Sequence, residues 1–387
     1  MNRRITALVT VTFALISCVN LLAQNKSDQL YKWEKYLLQP NNNTPSNHVL
    51  GYAGMFGGIY NNQMIIGGGA NFPDAMPWLG GQKKYSNQLF VYSKNKEGQL
   101  VLNPKIYFLP FNLAYAASCS SDRGIIVLGG ENEEGPVNHA FIIQLINDQL
   151  KISALPAIPC KVTNAMVCLV DDKVYLIGGE NAEKTLNQLL CLNLNEVDNG
   201  WFQLPVIPFA VSHAVASLQT INGKKKIFII GGRKKNKHLI SDLYNSIIEF
   251  DIMSKTWSSK NTLPYALSAG TGFPLNNHQI LLLGGDKGTT FSKVEQLLLD
   301  INGEQNSAIK ASYNQQKIKL QSTHPGFSNE MILINNQTNT LTMAGQIPYD
   351  VPVTTTIFPW KNEWFIPSGE IKAGVRSPFI LSISLNP

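Results

Sequence analysis

Five short apolar segments of this chain each end in a pair of glycines. The pairs are Gly68-Gly69, Gly129-Gly130, Gly178-Gly179, Gly231-Gly232 and Gly284-Gly285. The first glycines of successive pairs lie 61, 49, 53 and 53 residues apart. Runs of Val, Ile, Leu and Tyr before each pair favour β-strands. A strand-rich repeat of roughly 50 residues is typical of a β-propeller, in which each unit forms a four-stranded blade.

Proline endings count the units independently. The five endings are Leu109-Pro110, Leu155-Pro156, Leu204-Pro205, Leu263-Pro264 and Ile347-Pro348. A sixth unit runs from Thr354 through Ser368-Gly369 to an apolar strand at 379–383, and it lacks such an ending. Residues 31–40 have the missing Trp-to-Pro layout, so we expect them to supply the outer strand of the last blade. The sequence therefore predicts an all-β, six-bladed propeller that an N-terminal strand closes.

The fifth unit is longer than the others, and the excess lies at about residues 291–324. Ser292 and Glu295 fit a capping box at the start of a helix. Apolar residues then recur at helical spacing. They are Phe291, Val294, Leu297, Leu298 and Ile301. We expect a partly helical insertion that either packs on the side of the propeller or forms a lid over one channel mouth.

The first residues have the layout of a secretory signal. Arg3 and Arg4 precede an apolar stretch that continues to Leu22, and Ala23 comes just before a polar segment. We predict a signal peptide at residues 1–23, a mature propeller at residues 24–387, and a periplasmic or secreted location. Lipidation of Cys18 is the alternative. No later segment is apolar enough over a sufficient length to span a bilayer.

Charge and cysteine spacing exclude several classes of protein. The formal net charge of +6 falls to +4 without Arg3 and Arg4, which is too little to indicate nucleic-acid binding. The cysteines after the signal form no C-x-x-C pair, and buried thiols are favoured over a disulfide. They are Cys119, Cys160, Cys168 and Cys191. We predict no metal site and no cofactor.

Polar residues just after the glycine pairs are expected to share one channel mouth, because each pair ends the second strand of its blade. The predicted ring is Asn71, Glu131, Glu180, Arg233, Asp286 and Glu370. For Glu131, Glu180 and Asp286 we favour hydrogen bonds to neighbouring backbone N–H groups. We predict that Asn71, Arg233 and Lys372 contact a substrate.

The sixth unit carries a distinctive loop, Gly369-Glu370-Ile371-Lys372-Ala373-Gly374-Val375-Arg376. It resembles the Gly-Glu-x-Lys-Pro-Gly-x-Arg loop of N-acetylneuraminate epimerases, which are periplasmic sialic-acid mutarotases built on a six-bladed kelch propeller. Ala373 replaces the proline. Residues 54–69 resemble the blade that follows this loop in those enzymes, but here they begin the mature chain. That rotated order is similar to the order of the cyclically permuted mutarotase family.

The resemblance implies an isomerase acting on sialic acid or a related small sugar, with Glu370 as proton acceptor and Arg376 as its catalytic partner. Exchange of anomers needs a proton taken from the anomeric hydroxyl and another delivered to the ring oxygen, which suits a carboxylate. A guanidinium suits the carboxylate of the substrate.

A binding or scaffold propeller without catalysis remains the main alternative, because fold alone does not fix function. A copper oxidase would need grouped His and Tyr ligands, whereas the six histidines are scattered. A glycoside hydrolase would need a second well-placed acid, which the sequence does not identify.

The mature chain is expected to begin near Gln24, because the small residue Ala23 follows the apolar stretch. Mass spectrometry of the N-terminal peptide, on protein secreted by a Gram-negative host, checks this. A Cys18→Ser variant should give the same mature mass as the parent. A diacylated Cys18 in the parent would contradict the prediction and make the protein membrane-anchored.

Overall fold

The computed structural model describes residues 30–39 and 50–386. The predicted signal peptide and Cys18 lie outside these residues. Six four-stranded antiparallel β-sheets follow one another along the chain as the blades of a propeller. The predicted fold class is confirmed.

The blades have these strand bounds, given from the innermost strand outward. Blade 1 comprises Ala53–Tyr60, Gln63–Asn71, Gln88–Lys94 and Leu100–Leu102; blade 2, Ala117–Ser121, Gly124–Leu128, Ala140–Ile146 and Gln149–Ala154; blade 3, Met166–Val170, Lys173–Ile177, Leu189–Asn193 and Trp201–Gln203. Blade 4 comprises Val215–Ile221, Lys224–Ile230, Ile247–Asp251 and Thr256–Ser259; blade 5, Thr271–Asn276, Gln279–Gly285, Ser328–Asn335 and Thr340–Gln346; blade 6, Phe358–Trp360, Glu363–Pro367, Phe379–Leu385 and Tyr31–Leu37.

Shorter elements decorate the loops. Lys84–Tyr85 and Tyr107–Phe108 extend blade 1, Pro77–Leu79 and Val197–Asn199 are 3-10 helices, and three hairpins pair Glu131–Asn132 with Gly135–Pro136, Arg233–Lys234 with Asp242–Leu243, and Glu370–Lys372 with Val375–Arg376.

Apolar side chains fill the spaces between neighbouring blades. For example, Phe56 and Ile65 of blade 1 pack in one cluster with Ile125 and Phe141 of blade 2. Comparable clusters join each of the remaining pairs of adjacent blades, including blade 6 with blade 1. The core is therefore a circle of blade interfaces around the axis. In the described part of the chain, no helix is long and apolar enough to cross a membrane.

The N-terminal strand closes the circle, as the sequence predicts. Tyr31–Leu37 pairs antiparallel with Phe379–Leu385 over its whole length, from Tyr31 opposite Leu385 to Leu37 opposite Phe379. Tyr31 is 7% exposed and Leu38 is fully buried. The last blade is thus built from both ends of the described chain, which protects an otherwise open sheet edge.

The glycine pairs occur where a strand end meets the backbone of the next blade. A Cβ atom at Gly129 would lie 2.3 Å from the carbonyl oxygen of Val162, a distance that real Cβ atoms do not reach. The N–H group of Gly130 donates to that same carbonyl at 2.8 Å. The equivalent bond recurs from Gly69, Gly179, Gly232 and Gly369 to the following blade. Glycine is required here because its small size permits this inter-blade hydrogen bond.

A closed circle of backbone hydrogen bonds surrounds the propeller axis. Six residues form it, one before the innermost strand of each blade or at its start, and all have positive φ. In each case the N–H donates to the carbonyl of the preceding member: Tyr115 to Gly54 (2.7 Å), Asn164 to Tyr115 (3.1 Å), His213 to Asn164 (3.2 Å), Ala269 to His213 (2.7 Å), Thr354 to Ala269 (3.0 Å) and Gly54 to Thr354 (2.7 Å). We call these six residues the axial ring.

The insertion in blade 5 consists of two helices, α1 (Thr289–Gly303) and α2 (Ser307–Ser322). Of the apolar positions predicted for α1, Leu297 and Ile301 are buried, whereas Leu298 is 41% exposed. The capping-box prediction is wrong, because the N-cap of α1 is Gly288, four residues before Ser292. Glu295 instead accepts hydrogen bonds from the backbone N–H and the hydroxyl of Ser241, both at 2.8 Å. The carboxylate therefore ties the helix to blade 4.

Removal of residues 1–38 is expected to destabilise the fold by several kcal/mol, because it deletes the ladder and apolar contacts of the closing strand. Thermal melting followed by circular dichroism measures the loss. A control that lacks only residues 1–29 keeps the strand and should melt like the mature protein. Equal melting temperatures for the two truncated proteins would refute closure by this strand.

Candidate functional site

A cavity of about 470 Å³ lies at one mouth of the channel. Five members of the predicted ring line it: Glu131, Glu180, Arg233, Asp286 and Glu370. The insertion supplies another part of the wall through Phe291 and Val294 of α1 and Gln321 of α2. Five axial-ring residues face both this cavity and a channel cavity of about 180 Å³: Tyr115, Asn164, His213, Ala269 and Thr354. We call the larger space the mouth cavity.

Strand register explains which residues reach the mouth cavity. In blades 2 to 6 the residue before the axial-ring residue bridges to the residue after the glycine or Ser-Gly pair, as Ala114 does with Glu131 and Val353 with Glu370. In blade 1 the corresponding partner of Ala53 is Ala70.

Two predicted substrate contacts lie elsewhere. Asn71 stands one position past the ring, pairs with Lys84 and is 6% exposed. Its place in the predicted ring belongs to Ala70, because Ala70 directly follows the glycine pair, as the other ring members follow theirs, and Asn71 comes one residue later. Lys372 is exposed on the outer part of its hairpin, and it is not among the residues that line the mouth cavity.

Glu370 and Arg376 face each other across a short hairpin. Their Cα positions are paired in the register, and Arg376 Nη1 lies 3.1 Å from Glu370 Oε1. The backbone N–H of Gly374 donates to the same Oε1 atom at 2.8 Å. The tight turn at Gly374, with φ of 72°, brings this N–H under the carboxylate. The spacing of Glu370 and Arg376 in the sequence and the pairing of the two hairpin strands together place these side chains opposite each other.

The Arg376 side chain is buried but incompletely satisfied. It is 7% exposed, and Phe72 lies under the guanidinium at 5.2 Å from ring centroid to Cζ. Its Nε and Nη1 atoms have no hydrogen-bond partner in the described residues, since the contact with Glu370 is too poorly aligned to be a hydrogen bond. Buried donors without acceptors are costly. Arg376 also lines the mouth cavity, so its positive charge favours an anionic ligand there.

The other acidic residues of the mouth cavity are held in different ways. Asp286 accepts the backbone N–H of Gly288 at 2.7 Å, which is the kind of bond that the sequence favoured. Glu131 instead accepts hydrogen bonds from Lys83 Nζ and the Tyr85 hydroxyl, both at 2.7 Å. For Glu131 and Glu180 the expectation of backbone partners is wrong, because side chains of neighbouring loops donate hydrogen bonds to these carboxylates instead.

A chain of hydrogen bonds connects Arg233 with Glu180. Arg233 Nη2 lies 3.2 Å from His213 Nε2, and His213 Nδ1 lies 3.0 Å from the Ser212 hydroxyl. The Ser212 hydroxyl donates to Glu180 at 3.0 Å. Because a guanidinium can only donate, Nε2 accepts and the proton resides on Nδ1. His213 is therefore neutral, in agreement with burial and the Arg233 charge, which hold its pKa well below 6.5.

His324 follows α2 and enters the mouth cavity beside Asp286 and Glu370. It is 8% exposed, and its Nδ1 accepts the N–H of Gly326 at 3.0 Å. Burial lowers the pKa of His324, while the negative charges of Asp286 and Glu370 oppose that shift. Burial likewise raises the pKa of Asp286. The insertion thus brings a titratable group to the carboxylates of two blades.

Tyr115, His213 and His324 are site residues that the sequence reasoning did not identify. A periodic signal was available for the first of them. Gly54, Tyr115, Asn164 and Thr354 each stand 14 positions before the first residue of their glycine or Ser-Gly pair. His324 carries no such signal, because it lies at the end of an insertion that breaks the repeat. In the described residues, no group of three or more His, Cys, Asp or Glu side chains could hold a metal ion.

A family model, the KLHDC2/KLHL20/DRC7 Kelch-repeats domain, matches residues 54–285, which is more than half of the chain. The chain belongs to the kelch-repeat family.

The chain is also similar to N-acetylneuraminate epimerases. It is 26% identical to the epimerase of Salmonella typhi over 162 residues, which cover 40% of each protein. It is 31% identical to that of Vibrio cholerae over 116 residues, 28% of each protein. The match to the Vibrio vulnificus epimerase is 29% over 112 residues. The chain therefore spans less than half the length of these relatives.

Acidification below pH 6.5 is expected to destabilise the protein partly through His213. Below that pH the unfolded chain binds a proton at this residue and the folded chain does not. The free energy of unfolding therefore decreases as the pH is lowered, by at most about 1.4 kcal/mol per pH unit. His213→Asn should reduce this slope, since asparagine tolerates positive φ and occupies the equivalent position at Asn164.

Denaturant unfolding at several pH values between 5 and 8 measures that slope. His238→Asn, which replaces an exposed histidine, is the matched control and should keep the slope of the parent. If His213→Asn also keeps it, His213 is protonated in the folded state.

Proposed function

We propose that this protein is an isomerase that interconverts the α and β anomers of N-acetylneuraminate or a closely related 2-keto sugar acid. The observation that carries the proposal is the Arg376 guanidinium, which is 7% exposed, lacks partners at Nε and Nη1 among the described residues, and lies 3.1 Å from Glu370 in the wall of the mouth cavity. A cavity of about 470 Å³ suits a monosaccharide acid. The likeness to N-acetylneuraminate epimerases supports the same substrate class.

Glu370 is the proposed base. Ring opening begins when a carboxylate takes the proton of the anomeric hydroxyl, and the ring oxygen receives a proton as its bond to the anomeric carbon breaks. Rotation in the open ketone and closure on the opposite face give the other anomer. The N–H of Gly374 holds Oε1 of Glu370 in place, which fixes the direction of the carboxylate. A positioned base avoids the cost of orienting it in the transition state.

Arg376 is the proposed anchor for the carboxylate of the substrate. A planar guanidinium binds carboxylates with directed hydrogen bonds that lysine does not reproduce. Arg233 offers a second cation in the mouth cavity, and its stacking on Phe291 of α1 at 4.7 Å from centroid to Cζ holds its plane. Two arginines and several carboxylates thus converge on one cavity. A propeller that served only as a scaffold would not need such convergent polar groups.

We also propose that the reaction takes place outside the cytoplasm, where the predicted signal peptide would deliver the chain. The N-terminal mass measurement described above tests that part separately from the activity.

Glu370→Gln is expected to slow anomer exchange by about 10² to 10⁴, because an amide cannot accept the proton. The assay follows the α-anomer signal by NMR, in N-acetylneuraminate freshly released by a sialidase. Glu133→Gln is the matched control, since Glu133 lies in an exposed loop and bonds to Asn112 at 2.8 Å. That variant should exchange anomers as fast as the parent.

Two outcomes would refute the proposal. One is a folded Glu370→Gln protein with the exchange rate of the parent. The other is a parent protein that does not raise the rate above that of buffer.

A further inference from the structure

Tyr115 adopts a backbone conformation that aromatic residues rarely take. It belongs to the axial ring and has φ of 56°. The equivalent positions of the other blades hold Gly54, Asn164, His213, Ala269 and Thr354. Backbone strain at non-glycine residues in this region is found mainly at functional sites. A tyrosine at this position therefore calls for a reason beyond closing the ring.

Gly54 provides the space that the Tyr115 ring occupies. A Cβ atom at Gly54 would lie 2.4 Å from Cδ1 and 2.7 Å from Cγ of Tyr115. Any side chain in blade 1 at this level would displace the tyrosine. The absence of a side chain at Gly54 and the large side chain at Tyr115 are thus complementary, and Tyr115 lines the mouth cavity as well as the channel cavity.

The Tyr115 side chain lines the mouth cavity together with Arg376, and the Arg376 charge acts on the phenol. A guanidinium has only donors, so the phenol cannot give its proton to Arg376. The charged groups that act on the phenol are Arg376, Glu370 and Glu131, and Lys83 Nζ lies 5.1 Å from its ring centroid. Burial raises the pKa of Tyr115 to about 12, with Arg376 opposing the shift. The phenol therefore keeps its proton at neutral pH and has it free to donate.

We propose that Tyr115 is the acid that protonates the ring oxygen of the sugar. This inference rests on the proposed anomer exchange and supplies its second proton. Glu370 takes the proton of the anomeric hydroxyl, the carbonyl double bond forms, and the bond from the anomeric carbon to the ring oxygen breaks as that oxygen takes the Tyr115 proton. Arg376 and Lys83 stabilise the phenolate. On closure the released hydroxyl returns its proton to Tyr115 while Glu370 reprotonates the carbonyl oxygen, so both residues are restored.

Tyr115→Phe isolates the hydroxyl, because it retains the ring beside Gly54. We expect kcat for anomer exchange to fall by about 10² to 10⁴ with KM nearly unchanged. Tyr107→Phe is the matched control. Its hydroxyl bonds to Asp148 at 2.7 Å, and Tyr107 is not among the residues that line the mouth cavity. That variant should retain the parent kcat, and circular dichroism melts verify that both variants fold.

His324→Asn tests the rival acid. Asparagine retains an acceptor for the N–H of Gly326 but withdraws the ring from the mouth cavity. If His324 were the acid, this variant would lose kcat and the parent rate would decline as pH rises through a value below 6.5. If Tyr115 is the acid, the Tyr115→Phe variant loses kcat. The rate of the parent then shows no decline between pH 6 and 9 from deprotonation of the acid.

If Tyr115→Phe does not fold, a fluorinated tyrosine at position 115 replaces it, since it keeps the shape and makes the phenol more acidic. The expected result is an altered kcat and a loss of rate that begins at lower pH than in the parent. An unchanged kcat in either variant overturns the proposal, as does a rise in KM alone, which would make the phenol a binding contact. In those cases an active parent and an inactive Glu370→Gln leave the proposed function standing. A parent protein without activity would refute both the proposed function and the role of Tyr115.

Discussion

Six backbone hydrogen bonds joined in a circle hold the inner ends of the blades at one level of the propeller axis. Each member of this axial ring has positive φ, and each donates its N–H to the member before it. At each of these residues the left-handed conformation turns the chain from the preceding loop into the innermost strand of the blade. Because the residue before it bridges to the residue after the glycine pair, the circle also sets the height of Glu131, Glu180, Arg233, Asp286 and Glu370. The mouth cavity is a direct consequence of that constraint.

Charges at the mouth cavity are mostly satisfied by partners from neighbouring blades. Lys83 of blade 1 reaches Glu131 of blade 2, and Ser212 of blade 4 reaches Glu180 of blade 3. Such contacts between blades make the polar layer as continuous as the apolar layers beneath it. Arg376 departs from this pattern, since it is buried with donors unpartnered among the described residues. A cavity lined by a cation with unpartnered donors favours an anionic ligand.

The sequence predicted the blade count and the closing strand, because both follow from the spacing of the repeat, and the resemblance of one loop singled out Glu370 and Arg376. It failed where a local pattern competed with a distant partner. Ser292 and Glu295 match a capping box, but Glu295 bonds to Ser241 of another blade. Asn71 is the first polar residue after its glycine pair, but register places Ala70 opposite Ala53. The one-residue difference moves the asparagine out of the ring, since successive residues of a strand face opposite sides.

The sequence by itself determined the repeat, and with it the number of blades and the loops that share a channel mouth. The role of the glycine pairs could be inferred from the sequence, because a close approach of two backbone segments excludes any larger residue, whichever residue lies opposite. Tertiary structure alone decided the meeting of Tyr115 with Gly54 and Arg376, and of His324 with Asp286 and Glu370. These residues are far apart in the chain and join only when the ring closes. Their chemistry follows from burial and neighbouring charge, which no local sequence pattern records.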